Sequence, residues 1–142
     1  GDRDGLRARM NDGPVSTAEL ASRLDEDGLV LLDVRTAEEF AGRAVAPCDP
    51  RPGRIPGARH VGLDELFAAG AGGADAVRAL VGADPSAEVI AYCHSGSRSA
   101  VAVQVLVAAG YRARNYEGSW HEWSRDPALP AEAGDPAAPA TR

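Results

Sequence analysis

The sequence predicts an α/β fold, with a parallel five-stranded sheet flanked by helices on both faces. Short apolar runs of strand length alternate along the chain with helical stretches, which is the pattern of consecutive strand–helix–strand units. Two of these runs, residues 29–34 and 88–92, are almost continuously apolar, as expected for strands that are covered on both faces. The 142 residues are 44% hydrophobic and 25% charged, which suits one soluble globular domain.

The elements follow in chain order, and most are bounded by recognisable end signals. Ser16 or Thr17 caps the first helix, Thr36 and Glu39 form a capping box for the second, and Gly110 closes the longest one. The predicted strands begin at residue 15 and then span 29–34, 58–61, 88–92 and 112–116. The predicted helices span about 17–25, 36–42, 63–67, 74–81, 98–109 and 120–123.

The composition also predicts the limits of the domain and the kind of protein it is. Residues 1–13 are expected to be a flexible lead-in, 14–125 the domain, and the Pro/Ala-rich residues 126–142 a flexible tail. A net charge of −6 without a basic run argues against nucleic acid and membrane surfaces as partners. The chain has no apolar stretch of about 20 residues and no secretory signal at its start. With only two cysteines, these features predict a cytoplasmic protein.

The segment AYCHSGSRSAVAVQVL, residues 91–106, carries the predicted chemistry. Cys93 stands at the carboxyl end of a buried strand, where open α/β sheets bind ligands. The short Gly-bearing loop behind it can point several N–H groups inward, and that field lowers the pKa of a thiol. Arg98 adds a planar cation that can hold two oxygens of an anion. We therefore interpret Cys93 as a nucleophile; the alternative is a cysteine that is buried and only structural.

At this point the sequence resembles a known family, the rhodanese sulfurtransferases. The loop CHSGSRS is similar to the active-site loop of that family, and the resemblance extends over about residues 14–124. The stretch 48–53 resembles the C-terminal, catalytic domain of tandem-domain members more than stand-alone ones, so a second rhodanese-like domain is a possible partner. The other segments that carry the resemblance are 31–35 with Glu38, Glu39 and Phe40; 53–58, with Arg54 where the family usually has His; and 116–120 with Trp123.

The resemblance implies a thiosulfate sulfurtransferase that works by a ping-pong mechanism. Cys93 would take the sulfane sulfur from a small anionic donor as a persulfide and pass it to a thiol, cyanide or protein acceptor. No cofactor and no metal are implied. His94 matches neither the Arg of thiosulfate-preferring members nor the Gly of mercaptopyruvate-preferring ones, so the donor stays open with a lean toward thiosulfate. The residues expected to bind the donor and the persulfide are His94, Ser95, Gly96, Ser97, Arg98 and Ser99.

Two other functions remain open. Cysteine phosphatases use a related loop with the arginine six positions after the cysteine, whereas Arg98 comes five positions after Cys93, which favours a bound sulfur atom over a bound phosphate. The domain could also be a sulfur-relay carrier that receives its persulfide from a protein partner. Both alternatives use the same cysteine.

Several other polar residues are expected to be structural. Asp33 and Arg35 are interpreted as an ion pair or loop anchor, with a supporting catalytic role as the alternative. His60 and His121 have no Cys or carboxylate at ligand spacing, so no metal site is expected. Cys48 is interpreted as an incidental surface thiol; the alternative is a partner that resolves the persulfide or forms a disulfide with Cys93.

Overall fold

Four parallel strands form the sheet in the computed structural model, which describes residues 13–134. Their spatial order is β2-β1-β3-β4, so the two most apolar strands lie in the centre. The central pair is in register from Leu29 opposite Glu88 to Asp33 opposite Tyr92. Both central strands therefore end at the same edge of the sheet. The strands are β1, Leu29–Asp33; β2, Arg59–His60; β3, Glu88–Tyr92; and β4, Arg112–Asn115.

The prediction of a fifth strand is wrong. Val15 forms only a single parallel bridge, to Tyr116, with its N–H donating to the carbonyl of Asn115 at 2.9 Å. Pro14 has no N–H to continue the ladder in one direction. In the other direction Ser16 already caps a helix, because its side chain accepts the N–H of Glu19. The segment is thus too short to pair as a strand.

Helices cover both faces of the sheet, as predicted. The two faces of β1 bury alternate side chains, with Val30 and Leu32 in one apolar cluster and Leu31 in the other. Helices α3, α4 and α5 pack on the first face, while α1 and α6 pack on the second. The helices are α1, Thr17–Ser22; α2, Ala37–Ala41; α3, Leu63–Gly72; α4, Ala74–Val81; α5, Ser97–Ala108; and α6, Ser119–Trp123.

Several helix ends depart from the predictions, and three of these differences are described here. Helix α1 ends at Ser22 rather than near residue 25. Helix α3 continues through the Gly-bearing segment 68–72 that was expected to break it, and the break falls at Gly73, whose φ is 107°. Helix α5 begins one residue earlier than predicted, at Ser97. The alanines of segment 68–72 favour helix enough to offset its two glycines.

The chain beyond residue 125 contacts the domain as far as Gly134. Trp123 Nε1 donates to the carbonyl of Pro130 at 2.7 Å, and Arg54 forms an antiparallel bridge with Glu132. The parts of the predicted lead-in and tail at residues 1–12 and 135–142 lie outside the described residues. Among residues 13–134, no helix combines the length and the apolar character that crossing a membrane requires.

Candidate active site

Cys93 lies where the sequence predicts it, directly after β3 at the carboxyl edge of the sheet, and it is fully buried. The chain then turns through residues 94–96 into α5; residues 93–99 are called the Cys93 loop below. Gly96 makes this turn with φ of 94°. A Cβ at Gly96 would stand 2.6 Å from the carbonyl oxygen of Glu117, so both the backbone conformation and the space require glycine there.

The loop curls around the sulfur of Cys93. The Sγ atom accepts the N–H of Gly96 at 3.1 Å, the N–H of Ser99 at 3.4 Å and the hydroxyl of Ser99 at 3.4 Å. Ser99 is fully buried, whereas Ser95 and Ser97 are exposed on the outer side of the turn. The prediction that the loop points several N–H groups inward is confirmed for Gly96 and Ser99, and the hydroxyl of Ser99 adds a third donor.

These donors set the charge state of the thiol. Burial raises the pKa of Cys93, because a thiolate is poorly solvated inside a protein. The hydroxyl and N–H of Ser99 and the N–H groups of Gly96 and Ser95 oppose that effect and outweigh it. The pKa of Cys93 is therefore below its ordinary value, which favours the nucleophilic thiolate.

Helix α6 holds the loop from the other side. Ser119 Oγ accepts the N–H of Cys93 at 3.0 Å, and the N–H of Trp120 donates to the carbonyl of Cys93 at 2.9 Å. Ser119 itself has a φ of 55°, a rare value for a residue with a side chain. Sequence reasoning missed Ser119 as a site residue, although the Gly-Ser-Trp motif at 118–120 marked the segment.

Arg98 forms a bidentate ion pair with Glu39. Its two terminal nitrogens donate to the two carboxylate oxygens of Glu39 at 3.0 and 3.2 Å. Partial burial raises the pKa of Glu39, but hydrogen bonds from Arg98 and from the N–H of Thr36 outweigh it and lower the pKa to about 2. The ion pair ties α5 to α2, because Glu39 lies in the first turn of α2.

His94 contacts the long loop before β2. Its Nε2 lies 2.9 Å from Oδ2 of Asp49, a carboxylate that is only 1% exposed. His121 Nδ1 lies 3.0 Å from Oδ1 of the same residue, and Cys48 Sγ lies 3.7 and 3.8 Å from these two nitrogens. His121 has no Cys or carboxylate at ligand spacing in the sequence, but both lie near it in the folded chain. The fold supplies both from the long loop before β2.

Asp33 and Arg35 form the predicted ion pair and loop anchor. Arg35 donates to both carboxylate oxygens of Asp33 at 2.7 to 3.1 Å and to the carbonyl of Gly53 at 2.6 Å. The side chain of Arg35 is 2% exposed and that of Asp33 is 0% exposed. The pair fastens the end of β1 to the long loop before β2, and these contacts explain why both charges can be buried.

The remaining predictions concern packing residues. Trp120 and Trp123 are fully buried in the cluster on the second face of the sheet, as expected for core residues. His60 packs against the ring of Phe40 with a centroid distance of 5.0 Å, and its Nε2 lies 2.8 Å from the carbonyl oxygen of Arg35.

Comparison with known proteins agrees with this geometry. The family model described as Rhodanese-like domain matches residues 16–126. A probable 3-mercaptopyruvate sulfurtransferase from Pseudomonas aeruginosa is 37% identical over 128 residues, which are 85% of this chain and 45% of that protein. The crystal structure of a probable thiosulfate sulfurtransferase is 45% identical with a TM-score of 0.71, and the match covers 85% of this chain and 48% of that one.

A third match concerns the chemistry of the cysteine. The structure of an EanB variant with ergothioneine covalently linked with a persulfide cysteine has a TM-score of 0.72 and 26% identity. The match covers 88% of this chain and 33% of that one. This chain therefore spans about half the length of the sulfurtransferases it matches and about a third of EanB.

Proposed function

The chain belongs to the rhodanese-like domain family, and from that premise we propose that it is a thiosulfate sulfurtransferase that carries sulfur as a persulfide on Cys93. The observation that carries the proposal is the buried Sγ of Cys93, which accepts hydrogen bonds from Gly96 and Ser99. Such a ring of donors stabilises a thiolate. It also stabilises the negative charge on the terminal sulfur of a persulfide.

In the first half-reaction, the Cys93 thiolate attacks the outer sulfur of thiosulfate. A new S–S bond forms to Cys93, the S–S bond of thiosulfate breaks, and sulfite leaves with the electron pair. The donors of the Cys93 loop hold the negative charge that now lies on the terminal sulfur. The lowered pKa of Cys93 supplies the thiolate, so this step needs no separate base.

In the second half-reaction, the acceptor attacks the terminal sulfur of the persulfide. A thiolate or cyanide forms a bond to that sulfur, the bond to Cys93 breaks, and the Cys93 thiolate is regenerated. The enzyme thus alternates between the Cys93 thiolate and the Cys93 persulfide, which is the ping-pong pattern.

Thiosulfate suits the site better than mercaptopyruvate. Sulfite leaves as a stable anion, whereas the carbon left by mercaptopyruvate must acquire a proton. The groups that contact Sγ are amides and serine hydroxyls, which stabilise anions but are weak acids. Relatives carry the names of both donors, so the choice of thiosulfate rests on this chemistry.

The proposal is tested by thiosulfate:cyanide turnover and by intact mass after thiosulfate treatment. Wild type and Cys48→Ser are expected to gain one sulfur atom, and Cys93→Ser none. Thiocyanate formation is expected to fall at least about 1000-fold in Cys93→Ser. A sulfur adduct that persists in Cys93→Ser would disprove the assignment. An adduct with mercaptopyruvate but not with thiosulfate would disprove the choice of donor.

A further inference from the structure

A second group of reactive side chains lies beside the Cys93 loop, and the proposed sulfur transfer does not use it. It consists of Cys48, Asp49, His94 and His121, and is called the Cys48 cluster below. One ligand atom from each residue lies within 4.8 Å of every other. We propose that the Cys48 cluster is a Zn²⁺ site with these four side chains as its ligands.

The two histidine nitrogens each face both Cys48 and Asp49, so the four side chains surround a common space. The nitrogen of His94 that faces Asp49 also faces Cys48, at 2.9 and 3.7 Å. The nitrogen of His121 that faces Asp49 likewise faces Cys48, at 3.0 and 3.8 Å. Each imidazole therefore presents one ring nitrogen to both the thiol and the carboxylate, His94 at Oδ2 of Asp49 and His121 at Oδ1.

The distances between the donor atoms are close to those between the ligands of a tetrahedral zinc site. With ordinary zinc bond lengths, sulfur and nitrogen ligands stand about 3.6 Å apart and nitrogen and oxygen ligands about 3.4 Å apart. The observed S–N separations of 3.7 and 3.8 Å match the first value. The N–O separations of 2.9 and 3.0 Å need to open by a few tenths of an ångström.

The chemistry of the donors selects the metal. One thiolate, two imidazoles and one carboxylate form a mixed S, N and O set, which suits Zn²⁺ and excludes Mg²⁺ and Ca²⁺ as preferred ions. The thiolate of Cys48 and the carboxylate of Asp49 would neutralise the two positive charges. Asp49 is 1% exposed, and a buried carboxylate needs such compensation.

Contacts outside the cluster hold the three contributing segments in place. The N–H of His121 donates to the carbonyl of His94 at 2.9 Å, which fixes α6 against the Cys93 loop. Arg125 donates to the carbonyl of Cys48 at 2.8 Å. Arg51 donates to the carbonyls of Ser124 and Leu129 at 3.1 and 2.9 Å, so the segment that carries Cys48 and Asp49 is fastened to the chain after α6. Preorganised ligands of this kind bind metal more tightly.

The experiment uses the full chain, stripped of metal with a chelator and kept reduced without thiols. Co²⁺ is the probe, because a cobalt–thiolate bond gives a charge-transfer absorption in the near ultraviolet. We expect one equivalent of Co²⁺ to bind with this absorption in wild type and in Cys93→Ser. We expect Cys48→Ser to lose the absorption and to bind Zn²⁺ at least about 100-fold more weakly in competition with a chelator.

Two further measurements complete the test. Zn²⁺ is expected to raise the Tm of wild type, and His121→Ala is expected to remove that rise. No charge-transfer absorption in wild type, or an absorption that Cys48→Ser retains, would overturn the proposal and leave Asp49 as the ion-pair partner of two histidines. Sulfur transfer is read at Cys93 and cobalt ligation at Cys48, so failure of one proposal is distinguishable from failure of the other.

Discussion

The two cysteines of this chain occupy opposite environments, although His94 lies both in the Cys93 loop and in the Cys48 cluster. Cys93 is buried, and the groups that contact its sulfur come mainly from the next six residues of the chain. Cys48 is exposed, and its neighbours His94 and His121 are 46 and 73 positions away. The first environment is made by one strand–loop–helix unit, whereas the second exists only after the sheet, the long loop before β2 and α6 have packed together. The surroundings of Cys93 thus depend mainly on residues that are close in sequence, whereas those of Cys48 depend on the folded structure.

After the loss of Cys93 itself, the largest effect is expected from a side chain at Gly96, where the Cys93 loop meets the backbone of Glu117. Gly96→Ala should lower thiocyanate formation at least about 100-fold, because the new Cβ would stand 2.6 Å from the carbonyl of Glu117 and displace the donors from Sγ. Gly57→Ala is the matched control, since Gly57 also has positive φ, of 85°, but open space around it. The control should lose about 1 kcal/mol of stability and keep its turnover. Equal turnover in both variants would show that the loop does not depend on its tight turn.

The next effect is expected from removing a single donor to the sulfur. Ser99→Ala deletes the hydroxyl that lies 3.4 Å from Cys93 Sγ, and turnover should fall roughly 10- to 100-fold, since hydrogen bonds to an anion are the strong ones. Ser124→Ala removes a buried hydroxyl that has no hydrogen-bond partner among residues 13–134, so it should leave turnover as it is. Steady-state assays with thiosulfate and cyanide measure both. A Ser99→Ala enzyme as fast as wild type would mean that the backbone N–H groups suffice.

A smaller effect should reveal how far the Cys48 cluster depends on distant contacts. Arg51→Met removes the hydrogen bonds to the carbonyls of Ser124 and Leu129, and the segment that carries Cys48 and Asp49 should loosen. Zinc affinity, measured by competition with a chelator, should fall about tenfold. The sulfur adduct on Cys93 should still form after thiosulfate treatment. Unchanged zinc affinity would show that the cluster is held by its own ligands alone.

The smallest effect concerns the ion pair that ties the Cys93 loop to α2. The folded pKa of Glu39 is about 2, below the ordinary 4.5, so its ionised form stabilises the fold above pH 4.5 and this contribution is lost as the pH falls toward 2. Glu39→Gln should lower the free energy of unfolding at pH 6 by about 1 kcal/mol after allowance for solvent screening. It should also flatten the loss of stability below pH 4.5.

Glu38→Gln is the control for that measurement. Glu38 lies on the same helix and pairs with Arg43, but the pair is exposed and largely screened by water. Denaturant unfolding from pH 6 to pH 2 should therefore show a smaller change for Glu38→Gln than for Glu39→Gln. The reverse order would contradict the anchoring role given to Glu39.

The fold was largely predictable because its signals are local. The central strands were recognised from their apolar runs, and β3 has the predicted bounds. The capping box of Thr36 and Glu39 is present as predicted, and the helix ends next to Gly42, which is left-handed. The prediction of a fifth strand is wrong because the segment is too short. Val15 is a residue type common in strands, but it lies alone between Pro14 and the helix cap Ser16. Helix α3 continues past its predicted end because the alanines of segment 68–72 favour helix enough to offset its glycines.

The sequence by itself determined the position of Cys93 and the ring of donors around it. One strand end, one glycine and one helix start specify that geometry within seven residues, and short-range backbone conformation is encoded locally. Only the tertiary structure decided the use of Arg98, whose partner Glu39 is 59 positions away, and the meeting of Cys48, Asp49, His94 and His121. These contacts depend on which segments the packed sheet brings to one edge, and neither residue spacing nor composition contains that information.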